Sequence, residues 1–173
     1  MLIVGGGYVG LEKLQALTAN SPEATVTIVS PQIRAEIIDI AAQNQRISLI
    51  YDSYHSDFLK TADLVLAATN FKEINAQIYS DCQAQKIWVN VADTPDYCDF
   101  YLSSVVRKGD LKIAISTNGK SPTLAKRIRA LLEEIIPDSI QETLDNLQAI
   151  RNKLKGDFES KIKKLNEITE ILK

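Results

Sequence analysis

Leu2-Ile3-Val4-Gly5-Gly6-Gly7-Tyr8-Val9-Gly10 is the stretch that decides the fold. Three apolar residues make a short buried strand, and Gly5, Gly7 and Gly10 satisfy the spacing G-x-G-x-x-G. Val9, Leu11, Leu14 and Leu17 then recur at helical spacing. Glycine serves three purposes in such a loop: a tight turn, a bare backbone that a pyrophosphate can approach, and close packing of helix on strand. The N–H groups of the first helical turn and the helix dipole then face the phosphates. A glycine-rich turn without a ligand would show the same residues. Here a strand precedes the loop and a helix follows it, which is the context that dinucleotide binding requires.

Working outward, apolar runs and helical stretches alternate. Thr25-Val26-Thr27-Ile28-Val29 is β-branched throughout and reads as a second strand, ending at Ser30-Pro31. Residues 35–42 have helical spacing through Ile37, Ile38 and Ala41. Residues 47–51, 64–68 and 87–91 read as further strands, and 73–84 as a helix that packs Ile74 and Ile78 inward. Near-continuous apolar strands separated by helices predict a doubly wound α/β fold, a parallel sheet covered on both faces. Ligands of such sheets bind at the carboxyl ends of the strands. That edge collects Gly5 to Gly10, Ser30-Pro31-Gln32, Thr69-Asn70 and Asn90 to Asp93.

An NAD-specific fold often carries an acid at the end of the second strand, to bond the ribose hydroxyls. This chain has Ser30 there, with Arg34 four residues on. Arg34 either answers a 2′-phosphate, which favours NADP, or is a solvated residue at a helix start. These residues by themselves leave the choice of dinucleotide open.

The pattern changes after residue 97. Residues 100–106 and 111–116 read as two strands joined by Arg107-Lys108-Gly109-Asp110, a hairpin turn with glycine. In the polar loop Thr117 to Pro122, Ser121 is placed to cap a helix whose first position is Pro122 and which runs to about residue 136. Beyond Pro137, Ile140, Leu144, Leu147, Leu154, Phe158, Ile162, Leu165, Ile168 and Leu172 recur at helical spacing. They predict one long helix, or two broken near Gly156, with an apolar stripe that needs a partner. The expected organisation is a nucleotide-binding domain over 1–98, a small strand-and-helix segment over 99–136 and a helical region over 137–173.

With 173 residues, 45% hydrophobic and 24% charged, the chain has the composition of a soluble globule. A net charge of −2 exerts no general pull on nucleic acid or anionic membrane. Cys82 and Cys98 are too few for a disulfide framework, and no apolar run approaches the ~20 residues that span a bilayer. A soluble protein of the reducing cytoplasm is expected, with no signal peptide, no membrane and no nucleic acid among its partners. One histidine, His55, and two separated cysteines support neither a metal cage nor Ser-His-Asp or Cys-His catalysis. Residues 107–129 hold Arg107, Lys108, Lys112, Lys120, Lys126, Arg127 and Arg129 against one acid, Asp110. They mark either an anionic small-molecule substrate or a solvated helix face and hairpin tip. Asp93, just past the fifth strand, is either a carboxylate that takes a proton as hydride leaves a substrate, or a loop residue before Pro95.

Four motifs occur in one order: Gly5-Gly6-Gly7-Tyr8-Val9, Ala67-Ala68-Thr69-Asn70, Asn90-Val91-Ala92-Asp93, and Ala114 to Pro122 with Leu124-Ala125 and Arg129. Together they resemble the precorrin-2 dehydrogenase / sirohydrochlorin ferrochelatase family, which includes the amino-terminal module of siroheme synthase. The likeness covers roughly residues 2 to 136. It implies a Rossmann-type domain and an intertwined homodimer. It also implies oxidation of precorrin-2 to sirohydrochlorin with NAD, and in many members insertion of ferrous iron as a substrate. By the same resemblance Asp93 matches the catalytic aspartate. The dinucleotide contacts fall on Gly5, Gly7, Tyr8, Val9, Gly10, Ser30, Pro31, Gln32, Thr69 and Asn70. The tetrapyrrole contacts fall on Asn118, Gly119, Lys120, Ser121 and Arg129, and Ser121 matches a serine that is phosphorylated in some members. The basic cluster then has an object, a macrocycle bearing many carboxylates. Where the family usually has a basic pair after the glycine loop, this chain has Glu12-Lys13.

Overall fold

The computed structural model describes residues 1–170. The chain forms two compact units, Met1–Leu102 and a second from Ser103 onward.

In the first unit five strands, β1 (Leu2–Gly6), β2 (Val26–Ile33), β3 (Ile47–Ile50), β4 (Leu64–Ala67) and β5 (Trp88–Val91), lie in one sheet of order β3-β2-β1-β4-β5. Every pairing is parallel. The strand order reverses at β1, which is the switch point where such sheets open a crevice for ligands. Side chains alternate across the pleat. Leu2, Val4 and Val65 therefore join one core with Ile78 and Cys82 of helix α3 (Lys72–Gln85). Ile3, Ile28 and Leu66 join the other, with Leu14 and Leu17 of α1 (Tyr8–Asn20) and Ile37 of α2 (Ala35–Ala42). Both faces are covered, as the continuous apolar runs predict. Each buried aliphatic side chain contributes about 1.5–3 kcal/mol on removal from water.

Two features depart from expectation. β2 does not stop at Ser30-Pro31 but continues to Ile33. Its register against β1 jumps from Val4↔Val29 to Gly6↔Ile33, so β2 carries two extra residues there. Pro31 has no N–H to give to the ladder, and a bulge carries the strand past it. The Ser30 hydroxyl donates to the Gln32 carbonyl at 2.8 Å and closes the bulge, and the Arg34 N–H donates to the Gly6 carbonyl at 3.1 Å. A basic residue therefore follows the second strand directly. The second feature is a pair of 3₁₀ turns, Ser56–Thr61 and Pro95–Tyr97, in stretches whose polar sequence reads as loop. Leu59 of the first turn is fully buried against α3's side of the sheet.

In the second unit β6 (Ser104–Lys108) and β7 (Leu111–Ile115) form an antiparallel hairpin. The ladder extends to Lys108↔Leu111, which leaves Gly109-Asp110 as a two-residue turn, with Gly109 at φ +59°. β6 starts four residues later than expected, because residues 100 and 102 pack with the first unit's core instead. Helix α4 (Pro122–Ile135) is capped as predicted, the Ser121 hydroxyl accepting from the Leu124 N–H at 3.2 Å. The tail is two helices, α5 (Ile140–Lys153) and α6 (Phe158–Ile168), with Gly156 at φ +116° between them. Leu172, the last residue of the expected stripe, lies outside the described residues. Among the described residues no helix is long and apolar enough to cross a membrane.

Candidate functional site

The glycine loop is built so that one position stays open. Gly5 adopts φ +119°, a conformation that side chains rarely allow, and a Cβ there would lie 2.4 Å from the Ala68 carbonyl oxygen. A Cβ on Gly10 would lie 2.1 Å from the Gly5 carbonyl oxygen, which is why the helix can sit so close to the strand. At Gly7 a Cβ would meet nothing within 4 Å. Gly7 is the N-cap of α1 and offers no side-chain cap, and the first helical bond runs from the Leu11 N–H to the Gly7 carbonyl at 3.0 Å. The N–H groups of Tyr8, Val9 and Gly10 precede that bond. A pyrophosphate fits this arrangement: bare backbone, first-turn donors and the positive end of a helix dipole. The sequence motif passes over Gly6, yet its Cβ would stand 2.5 Å from the Gln32 carbonyl oxygen. The β2 bulge demands glycine at that position.

Across the switch point, the turn after β4 is fixed by a residue that the motifs leave out. Asn75, buried on α3, donates from Nδ2 to the Thr69 carbonyl at 3.0 Å and accepts the Thr69 hydroxyl on Oδ1 at 2.7 Å. Thr69 is thus braced, and Asn70 beside it is exposed. An asparagine in the inward stripe between Ile74 and Ile78 is the signal that reveals this in sequence.

Asp93 lies two residues past β5, exposed, at φ +56°. Asparagine and aspartate tolerate this left-handed conformation better than other non-glycine residues do. The loop is held from beneath. Buried Asn90 donates to the Phe100 carbonyl at 2.8 Å and to Cys98 Sγ at 3.3 Å, and the Cys98 thiol in turn faces the carbonyls of Val91 (3.2 Å) and Thr94 (3.3 Å). Burial pushes the Cys98 thiol above its ordinary pKa, so it stays a protonated strut. Asp93 itself makes no hydrogen bond or ion pair among the described residues, and its carboxylate is available to a ligand.

At the other end of the crevice Arg34 stacks over the ring of Tyr8, its Cζ 3.7 Å from the ring centroid. Its Nη2 donates to Glu36 Oε1 at 2.6 Å. That bond holds the guanidinium above its ordinary pKa and the Glu36 carboxyl below the usual carboxylate range. Tyr8 and the bulge residues Ser30, Pro31 and Gln32 belong to this end, while Val9 packs inward with the α1 core.

Asn118, Gly119, Lys120 and Ser121 form the loop between β7 and α4 in the second unit, with Asn118 and Gly119 at positive φ. Ser121 is a helix cap, and Arg129 pairs with Glu133 at 3.5 Å. Lys108, counted with the basic cluster, is engaged by Asp138. His55 is a surface residue 3.8 Å from both Asp52 and Asp57. Among the described residues no group of three or more His, Cys, Asp or Glu is placed to hold a metal ion.

Residues 1–104 match a protein family described as "Putative NAD(P)-binding". The chain belongs to that family. Residues 108–135 match a second family, described as sirohaem biosynthesis protein central. The siroheme synthase of Psychrobacter cryohalolentis is 37% identical over 162 residues, 94% of this chain and 30% of the relative. That of Pseudoalteromonas translucida is 36% identical over 158 residues, 91% of this chain and 33% of the relative. The chain spans about a third of the length of these curated relatives. The solved structure of SirC, precorrin-2 dehydrogenase, superposes with a TM-score of 0.75 at 24% identity, covering 96% of this chain and 82% of that one. That likeness is one of fold. The resemblance read from the four motifs is borne out.

Proposed function

We propose that this chain oxidises precorrin-2 to sirohydrochlorin with NAD as the hydride acceptor. The observation that carries the proposal is the convergence of the open Gly7 position and the free, exposed Asp93 carboxylate on the carboxyl edge of one parallel sheet. The motif resemblance and the siroheme synthase relatives support the choice of substrate. Bound NAD supplies a two-electron hydride acceptor. The chain's own residues do the rest. The glycine loop and first turn of α1 hold the pyrophosphate. Asp93 takes the proton that leaves the macrocycle as the hydride departs, so that one hydride and one proton account for the two hydrogens removed. In the second unit, Lys120 and Arg129 are the residues that the motif resemblance assigns to the substrate's carboxylates. Purified chain mixed with precorrin-2 and NAD without oxygen is expected to yield NADH absorbance together with sirohydrochlorin. NAD binding with no NADH formed would leave a dinucleotide- or tetrapyrrole-binding protein instead. Ferrous iron, as a second substrate, tests chelation in the same vessel, since a free carboxylate that accepts one macrocycle proton suits the pyrrole protons as well.

The working form proposed is a homodimer. On α4, Leu124, Leu131 and Ile135 are 50%, 54% and 63% exposed, and with Ile128 they form a stripe at helical spacing. Pairing across a two-fold axis covers such a stripe and the hairpin edges together. Light scattering at micromolar concentration is expected to give twice the mass of the chain, and a monomer would count against both the dimer and the proposed function. The free thiols of Cys82 and Cys98 suit the cytoplasm, where thiols stay reduced.

A further inference from the structure

We infer that Glu36 sets the choice between NAD and NADP, by neutralising the arginine that would otherwise take a 2′-phosphate. The inference rests on the dinucleotide reading above and deepens it. In these folds the residues just past the second strand discriminate the two nucleotides: an acid bonds the ribose hydroxyls of NAD, an arginine the extra phosphate of NADP. Here the bulge at Pro31 brings Arg34 directly behind β2, the residue type that NADP calls for. Its guanidinium is already committed on two sides. One flat face lies on the Tyr8 ring, at 3.7 Å, and Nη2 is bonded to Glu36 at 2.6 Å. Nε is buried and has no hydrogen-bond partner among the described residues, so the stack and the Glu36 bond are what hold the group in place.

The consequence is electrostatic. An adenosine 2′-phosphate carries close to two negative charges at neutral pH. It would have to displace Glu36 from Arg34 and then lie beside the displaced carboxylate. A ribose with free hydroxyls meets no such conflict, because a hydroxyl donates to the second carboxylate oxygen while Arg34 stays paired. The pair thus supplies an acid that the end of the strand lacks, two residues beyond the arginine rather than in its place. Glu36 is half exposed, so replacing it opens no cavity.

The test compares NAD and NADP affinities by calorimetric titration for four proteins: wild type, Glu36→Gln, Arg34→Ala and the double variant. Wild type is expected to prefer NAD. Glu36→Gln keeps the shape and removes the charge, and is expected to shift the affinity ratio toward NADP by about tenfold or more, the scale of one hydrogen bond between charged groups. Arg34→Ala added to that change should return the ratio to near its wild-type value, since the gain comes from the freed guanidinium. A ratio unmoved in Glu36→Gln, or a gain that survives Arg34→Ala, overturns the inference alone. A wild type that binds neither nucleotide overturns the dinucleotide reading, and this inference with it.

Discussion

Gly7→Val is expected to raise the dissociation constant for NAD by at least about 100-fold while the protein stays folded. The two halves of that expectation come from the same geometry. A phosphate held by two or three backbone N–H groups gains about 1.5–3 kcal/mol from each charged hydrogen bond, and loss of one such bond already approaches two decades. The valine methyls would fill the space that the phosphate must enter. Nothing in the folded chain objects, because a Cβ at Gly7 meets no atom within 4 Å and its φ of −86° is ordinary for any residue. The expected stability loss is the difference between glycine and valine at an N-cap, about 1 kcal/mol. Gly10→Val is the contrasting control. Its Cβ would stand 2.1 Å from a backbone oxygen, so it should cost the fold before it costs the ligand. Circular dichroism melts with NAD titrations separate the two outcomes. A Gly7→Val protein that binds NAD like wild type would place the nucleotide somewhere else.

That contrast shows how unevenly a sequence displays its site. The motif reveals that glycines are needed but treats them alike. Only the fold shows that Gly5 and Gly10 are steric, that Gly6 is forced by the bulge, and that Gly7 alone faces space. The sheet was legible because its signal is local: strands two to five are runs of apolar and β-branched residues, each followed by a helix or a turn. The path of β2 past Pro31 was not legible. Proline normally ends a strand, and what continues this one is the re-pairing of Ile33 with Gly6, a tertiary contact that no window of neighbours contains. The same reach hid the role of Arg34, whose meaning depends on whether strand two ends before it or beside it. The bracing roles of Asn75, Asn90 and Cys98 stay hidden for a related reason. Asn75 and Asn90 are polar residues in apolar stripes, each bonded to a loop 6 to 10 residues away, and Cys98 is a loop residue that faces Asn90 and Val91 of β5. The hairpin and the Ser121 cap, set by neighbouring residues, needed no such context.

Asp93→Asn is expected to lower turnover by about 100- to 10,000-fold, the usual worth of a positioned base, and to leave NAD affinity within twofold or so of wild type. Asparagine is the right replacement, and alanine the wrong one. At φ +56° an alanine would add roughly 1–3 kcal/mol of backbone strain, and a loss of activity could then be charged to a shifted loop. Asparagine keeps the left-handed conformation and the side chain's shape but cannot accept a proton. The loop beneath is anchored by Asn90 and Cys98, neither of which is hydrogen-bonded to the Asp93 side chain, so it should hold its course in the variant. The distinguishing readout is the split between constants. A base is lost from kcat, whereas a residue that merely shaped the loop would disturb the nucleotide's affinity and the melting temperature along with the rate. If ferrous iron is inserted at the same centre, Asp93→Asn should slow that step too, because the pyrrole protons then lack the same acceptor. Dehydrogenation at near wild-type kcat in Asp93→Asn would remove the carboxylate from the chemistry. The macrocycle proton would then have to leave to water, and Asp93 would keep only the backbone role that its left-handed turn requires.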